Sequence, residues 1–248
     1  MGTENNMTKI ERRYARQSII ANWGKDGQTA LENATVFIAG AGGLGSPVSY
    51  YLATVGIGHI IICDMDTVSL SNLNRQILHH DFRIGINKAH SARMTLNKIN
   101  PYIKVTEIQE KITENNIQNI SSEAEIIVDC VDNYTTRYIL MQEAFRRNIP
   151  LVHGSVWGLE GRISFFHTPE TPCLKCVFPS VPSKEIVPIV GATAGVIGSL
   201  QAVEVIKYIT GTGELMKNNL LLWDGTNNVF KKFKLHKRIG CSICGKYH

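Results

Sequence analysis

What this 248-residue chain lacks narrows its class before any motif is read. Its first residues, Met1 to Asn6, are polar and hold no apolar core, so they do not read as a signal peptide; a disordered start and a cytoplasmic chain are expected. A clean membrane span is missing too. One stretch, Ile186 to Val203, carries no charged residue, but Pro188, Gly191, Gly195, Gly198, Ser199 and Gln201 make it a poor hydrocarbon span. Glu204 and Lys207 continue the same helical pattern to about Gly211, so a buried helix is expected. Its small residues Gly191, Gly195 and Ser199 predict close approach to a neighbour, in the interior or at a subunit interface. No internal repeat or flexible linker divides the chain. Charge is sparse, 19% of residues with a formal net charge of +5, and Lys231, Lys232, Lys234, Lys237 and Arg238 supply much of the excess. That run suits a solvated strand face or an acidic carrier protein better than nucleic acid. The histidines, among them His79, His80 and His153, form no catalytic arrangement and read as surface or packing residues.

What is present begins with Val36-Phe37-Ile38-Ala39, an apolar run that enters Gly40, Gly42 and Gly45 at G-x-G-x-x-G spacing, with Gly43 between them. A second apolar run, Ile61-Ile62-Cys63, ends in Asp64. Strand before and amphipathic helix after are the context a nucleotide-binding βαβ unit requires: the glycines permit a tight turn and close backbone approach to an anion, and the acid can hold ribose hydroxyls. The fingerprint alone suggests a nicotinamide- or flavin-dependent oxidoreductase. The residues that follow argue for ATP instead. Asp66, Asn72, Arg75, Gln76 and Lys88 come next, and Asp132 and Asn133 close a later apolar run. A triphosphate carries about four negative charges and calls for Arg, Lys and a carboxylate-held Mg²⁺, which a dinucleotide does not.

Six cysteines supply the second signal. Cys173 and Cys176 form one C-x-x-C pair, Cys241 and Cys244 another, and four thiolates with no open position suit a structural, tetrahedral Zn²⁺. Redox or disulfide chemistry is the competing reading, which a cytosolic setting disfavours. Cys63 and Cys130 sit in apolar runs and read as small buried packing residues.

Taken together, from Arg12-Arg13-Tyr14-Ala15-Arg16-Gln17 through Gly45, Asn72 to Gln76, Lys88, Asp132 and the cysteine pairs, the chain resembles the ThiF/MoeB/HesA family, relatives of the ubiquitin-activating enzymes, and most of all its molybdopterin-synthase adenylyltransferase branch. That resemblance implies ATP-dependent adenylation of the C-terminal glycine of a ubiquitin-like sulfur carrier ending in Gly-Gly, with release of pyrophosphate, by a homodimer. It implies that Asp64 holds the ribose, that Arg75 and Lys88 contact phosphates, that Asp132 binds Mg²⁺, and that Arg16 reaches the triphosphate of the neighbouring subunit. Some relatives carry a further cysteine after the first C-x-x-C pair for thioester or persulfide chemistry. Here Val177 to Pro188 has none, which favours an enzyme that stops at the acyl-adenylate. The pathway served, molybdenum cofactor, thiamine, tRNA thiolation or protein modification, stays open, as does a tRNA base or small peptide as substrate.

The expected architecture is α/β: a Rossmann-like, mostly parallel sheet flanked by helices, with an antiparallel C-terminal extension that would carry the protein substrate. A helical arm would occupy 1–33, the nucleotide-binding core 34–155 and the extension with its zinc site 156–248, all one compact unit. Strands are expected near 34–40, 58–64, 103–109, 125–130 and 150–153, then at 162–167, 220–224 and 229–235. Helices are expected over 10–23, 47–55, 88–99, 115–120 and 135–148.

Overall fold

The structure, a computed structural model, describes residues 8–180 and 188–245. Parallel pairing dominates the N-terminal part. Strand β1 (Thr35–Ala39) lies between β2 (His59–Cys63) and β4 (Ile126–Asp129); β3 (Lys104–Ile108) adds beyond β2, and β5 (Leu151–Trp157) beyond β4. Beyond β5 the chain pairs antiparallel through β6 (Glu160–Phe166), β7 (Asn219–Asp224) and β8 (Val229–Lys234). The result is one eight-stranded sheet in the order β3-β2-β1-β4-β5-β6-β7-β8. β5 straddles the expected division at 155/156 and pairs on both sides.

Strands β1, β2 and β4 read as near-continuous apolar runs because both their faces are covered. Val36 and Ile38 face a core shared with α2 (Gly24–Asn33), α3 (Gly45–Val55), α4 (Lys88–Ile99) and α8 (Gly191–Thr210). Phe37 and Ala39 face the opposite core, filled by α5 (Ile117–Ile120), α6 (Tyr134–Arg147), α7 (Leu174–Val177) and the four paired cysteines. At the other extreme, β8 is exposed along its whole length, with its lysines solvated.

Three expectations are corrected. The helix predicted over 10–23 is α1 (Lys9–Tyr14), closed by a capping box between Thr8 and Glu11, followed by turns. Asn22 and Gly24 adopt left-handed φ values of 64° and 57°, and α2 begins there, unpredicted because its sequence holds two glycines and Ala30 and Leu31 as its apolar residues. The helix predicted from Ile186 begins at Gly191, since Val190 is extended and Gly158 donates its N–H to the Pro188 carbonyl. Close approach on that helix is made at Gly191, as expected, where a Cβ would stand 2.6 Å from the Asn74 carbonyl oxygen, and at Gly198, where it would stand 2.5 Å from Pro47 Cγ; a Cβ at Gly195 would meet nothing within 4 Å. The polar start, Met1 to Asn6, and residues 181–187 of the proline-rich stretch lie outside the described residues. No helix among the described residues is long and apolar enough to cross a membrane.

Candidate active site

In this strand order the chain leaves β1 towards β2 on one side and enters β4 from the other, so the C-terminal ends of β1 and β4 border a crevice, the usual ligand position in an open α/β sheet. The glycine loop fills one wall. Gly40 has φ +97°, and a Cβ there would press 2.8 Å from the Cys130 carbonyl oxygen; a Cβ on Gly45 would overlap the Gly40 carbonyl oxygen at 1.9 Å. Those two glycines are demanded by the turn itself. Gly42 and Gly43 are not: a Cβ would find ordinary contact, 3.6 Å from Gln76 Nε2 and 3.4 Å from Ala194 Cβ. Their bare backbone keeps room in the crevice rather than closing the fold.

The charged residues gather at the same end. Asp64 closes β2 and accepts the Ala41 N–H at 2.7 Å and the Asp66 N–H at 2.9 Å. Burial raises its carboxyl above the ordinary range, opposed by the Ala41 N–H and the nearby Lys88 charge. Lys88 starts α4 with its side chain only 8% exposed, where Asn87 caps the helix by accepting the Ala89 and His90 N–H groups. Its ammonium meets one carboxylate, Asp66 at 3.0 Å, and that partner is 57% exposed. A buried cation at the positive end of a helix, neutralised by one solvated acid, is electrostatically suited to an additional anion. Arg75 packs beside Gly43 and spends one guanidinium nitrogen on Ser71 O and Asn74 Oδ1. Asn72 belongs to the short 3-10 turn before it, and its carbonyl accepts the Arg75 and Gln76 N–H groups. Gln76 is buried beside Gly42, and its Oε1 has no hydrogen-bond partner among the described residues.

Asp132 lies just past β4, exposed, its Oδ1 accepting from Asn133 Nδ2 at 3.4 Å. Asn133 uses its own oxygen to cap α6 at Thr136 N. A carboxylate this lightly engaged, at the C-terminal end of β4, fits a Mg²⁺ ion held jointly by protein and phosphate. Arg16 is the one expected site residue that the chain does not bring here. Its neighbour Gln17 bonds Val55 O at the far end of α3, roughly 16 Å along the helix from the glycine loop.

The second constellation is the cysteine cluster. The sulfurs of Cys173, Cys176, Cys241 and Cys244 lie within 4.8 Å of one another, with Cys173 and Cys241 at 3.5 Å and Cys176 and Cys244 at 3.4 Å. The Arg238 N–H donates to Cys176 Sγ at 3.3 Å. Burial raises the Cys241 thiol, but the backbone N–H groups of Cys244 and Ile243 outweigh it and bring it down to about 7. Four convergent soft ligands with amide support can hold a tetrahedral metal ion.

A profile of the ThiF family matches residues 14–243. The chain belongs to the ThiF family. Over 239 residues it is 41% identical to the adenylyltransferase and sulfurtransferase MOCS3 of Culex quinquefasciatus, covering 94% of this chain and 55% of that protein. It is 39% identical to the MOCS3 of Drosophila sechellia, covering 94% and 53%. The chain thus spans about half the length of the curated relatives it matches. Crystal structures of E. coli MccB, one with ATP and one with AMPCPP and MccA, each superpose with a TM-score of 0.84 at 27% identity, covering 94% of this chain and 74% of MccB.

Within this ThiF-family fold, sequence reasoning missed the buried network under Asp132. Asp129 is fully buried; its Oδ2 accepts from His153 Nδ1 at 2.6 Å and lies 3.4 Å from Arg137 Nε. His79, read as surface or packing, is buried between Ser91 Oγ and the Ala41 carbonyl, and burial depresses it to about 4, so it is neutral near pH 7. His153 is likewise buried and depressed by burial, whereas His80 is exposed. The packing reading of Cys63 and Cys130 agrees with the structure: both are buried, and burial pushes the Cys63 thiol to about 12 and raises Cys130 as well.

Proposed function

We propose that this chain adenylates the C-terminal glycine of a ubiquitin-like sulfur-carrier protein ending in Gly-Gly, consuming ATP and releasing pyrophosphate. The observation that carries the reading is the gathering of groups around the glycine loop at the sheet's switch point: bare backbone at Gly42 and Gly43, the buried Gln76 oxygen without a partner among the described residues, and the under-neutralised Lys88 near Asp64. The names of the relatives support it, as does MccB, whose structures hold ATP.

In this reading the carrier's carboxylate oxygen attacks the α-phosphorus, the bond to the bridging oxygen breaks, and pyrophosphate departs with the electron pair. Both reactants are anions, so the barrier is charge repulsion. Arg75 and Lys88 offset it, Asp64 fixes the ribose, and the Gly40–Gly45 backbone leaves the phosphates room to dock. Mg²⁺ at Asp132 supplies further positive charge. The Cys173, Cys176, Cys241 and Cys244 site takes Zn²⁺ and ties the C-terminal segment to α7. The protein works in the cytoplasm as a homodimer, which brings Arg16 to the neighbouring crevice. Neither Cys63 nor Cys130 is a poised thiolate, so neither supplies the sulfur chemistry in the relatives' name.

A second reading, a short peptide as substrate, is favoured by the likeness to MccB, which was solved with MccA. ATP–pyrophosphate exchange with a panel of Gly-Gly carriers, their tail-deleted forms and short peptides separates the two. Exchange is expected only with intact carrier tails; exchange with peptides alone would transfer the proposal to the second reading, and none with any substrate would defeat both.

A further inference from the structure

We propose that Arg137, together with Asp129, forms a buried clamp that positions Asp132 by gripping the Val131 peptide at both ends. The proposal rests on the reading of Asp132 as the Mg²⁺-binding carboxylate. Asp129 Oδ1 accepts the Val131 N–H at 3.2 Å, and Arg137 Nη2 donates to the Val131 carbonyl at 2.8 Å. An ion pair links its two arms, Arg137 Nε standing 3.4 Å from Asp129 Oδ2 without a hydrogen bond, and His153 donates to that same oxygen at 2.6 Å. It is anchored outward as well. Arg137 Nη2 also reaches the Gly154 carbonyl on β5 at 3.3 Å, and Gln201 on α8 donates to the Asp129 carbonyl at 2.8 Å.

Among the described residues the Asp132 carboxylate has no such support of its own and accepts one hydrogen bond, from Asn133 Nδ2 at 3.4 Å. The residue before it is clamped and the residue after it caps α6, so the direction of its carboxylate follows from two fixed neighbours. A buried ion pair stabilises a fold weakly against an apolar replacement, which leaves geometry as the reason to place one here. Lysine at 137 would keep the charge beside Asp129 but lose the fork that spans two carbonyls and a carboxylate.

The test is calorimetric titration of ATP into the full chain, without carrier, across a Mg²⁺ series and in Mg²⁺-free buffer, for wild type, Arg137→Lys, Asp129→Asn and Asp132→Ala. Arg137→Lys should raise the Mg²⁺ concentration that half-saturates the effect on ATP affinity by about tenfold, the scale of lost ligand-orienting partners, and leave Mg²⁺-free affinity unchanged. Asp129→Asn, which keeps an acceptor for the Val131 N–H, should shift it in the same direction by less, and decides the matter if Arg137→Lys does not fold. An unchanged Mg²⁺ dependence in the clamp variants, with a shift in Asp132→Ala, would overturn the clamp alone. Equal losses with and without Mg²⁺ would reduce Arg137 to a structural role and also overturn it. No shift in Asp132→Ala would remove the reading of Asp132 and the clamp with it.

Discussion

At the cysteine cluster the four sulfurs already converge within 4.8 Å and an amide is aimed at one of them, whereas the crevice between β1 and β4 holds groups that its own chain leaves under-used. The unpaired Gln76 oxygen, the lightly engaged Asp132 and the buried Lys88 with one solvated partner all belong to the second kind. The difference teaches how to tell a site that completes a fold from one that waits for a substrate. A structural centre is saturated by its own chain and one ion; a catalytic one keeps polar capacity in reserve, at some expense to stability.

The sharpest way to break that contrast is to delete one group from each region. Asp132→Ala should reduce pyrophosphate exchange by roughly a thousandfold, the scale of a lost transition-state charge partner, with little change in melting temperature. Cys173→Ser should do the reverse in kind: zinc content measured by elemental analysis falls, and the melting transition drops by the several kcal/mol of a lost structural metal. If Cys173→Ser left both zinc and melting untouched, the cluster would not be a structural centre.

The glycine loop allows the same contrast within six residues. Gly45→Ala drives a Cβ into the Gly40 carbonyl oxygen and should destabilise the fold by about 2–4 kcal/mol in urea denaturation. Gly42→Ala has room and should melt as wild type while weakening ATP binding about tenfold, since its methyl would occupy ligand space. Equal melting losses for both would erase the distinction drawn between them.

A last contrast concerns acid. His79 is depressed to about 4 in the folded chain against 6.5 ordinarily, so the unfolded chain binds the proton more readily. Its contribution is complete above pH 6.5 and is lost as pH falls from 6.5 towards 4, by up to roughly 3 kcal/mol. His79→Asn should therefore flatten part of the acid limb of a stability–pH profile; an unchanged limb would show that His79 titrates normally.

Much of this was legible in the sequence, for reasons of locality. The glycine loop and each C-x-x-C pair compress their chemistry into a few consecutive residues, and strands covered on both faces announce themselves as apolar runs. The long helix α8 was visible as a pattern, but its start was not, because uncharged residues before Gly191 continue the run in composition and not in conformation. Helix α2 escaped because Gly24 and Gly27 dilute its signal; its helical form depends on packing of residues such as Leu31 into the core. The Asp129, Arg137 and His153 network was out of reach for a different reason. Its members come from β4, α6 and β5, and only the parallel pairing of Asp129 with His153 brings them together. Arg137 read as an ordinary helix-start residue, and nothing in its neighbours says that its guanidinium turns inward.

The most direct test of the central claim is intact-mass analysis of a Gly-Gly carrier incubated with the enzyme, ATP and Mg²⁺. A mass gain of one AMP, absent from the tail-deleted carrier and abolished by Asp132→Ala, is the predicted result. An unmodified intact carrier under conditions where the enzyme demonstrably binds ATP would contradict the account.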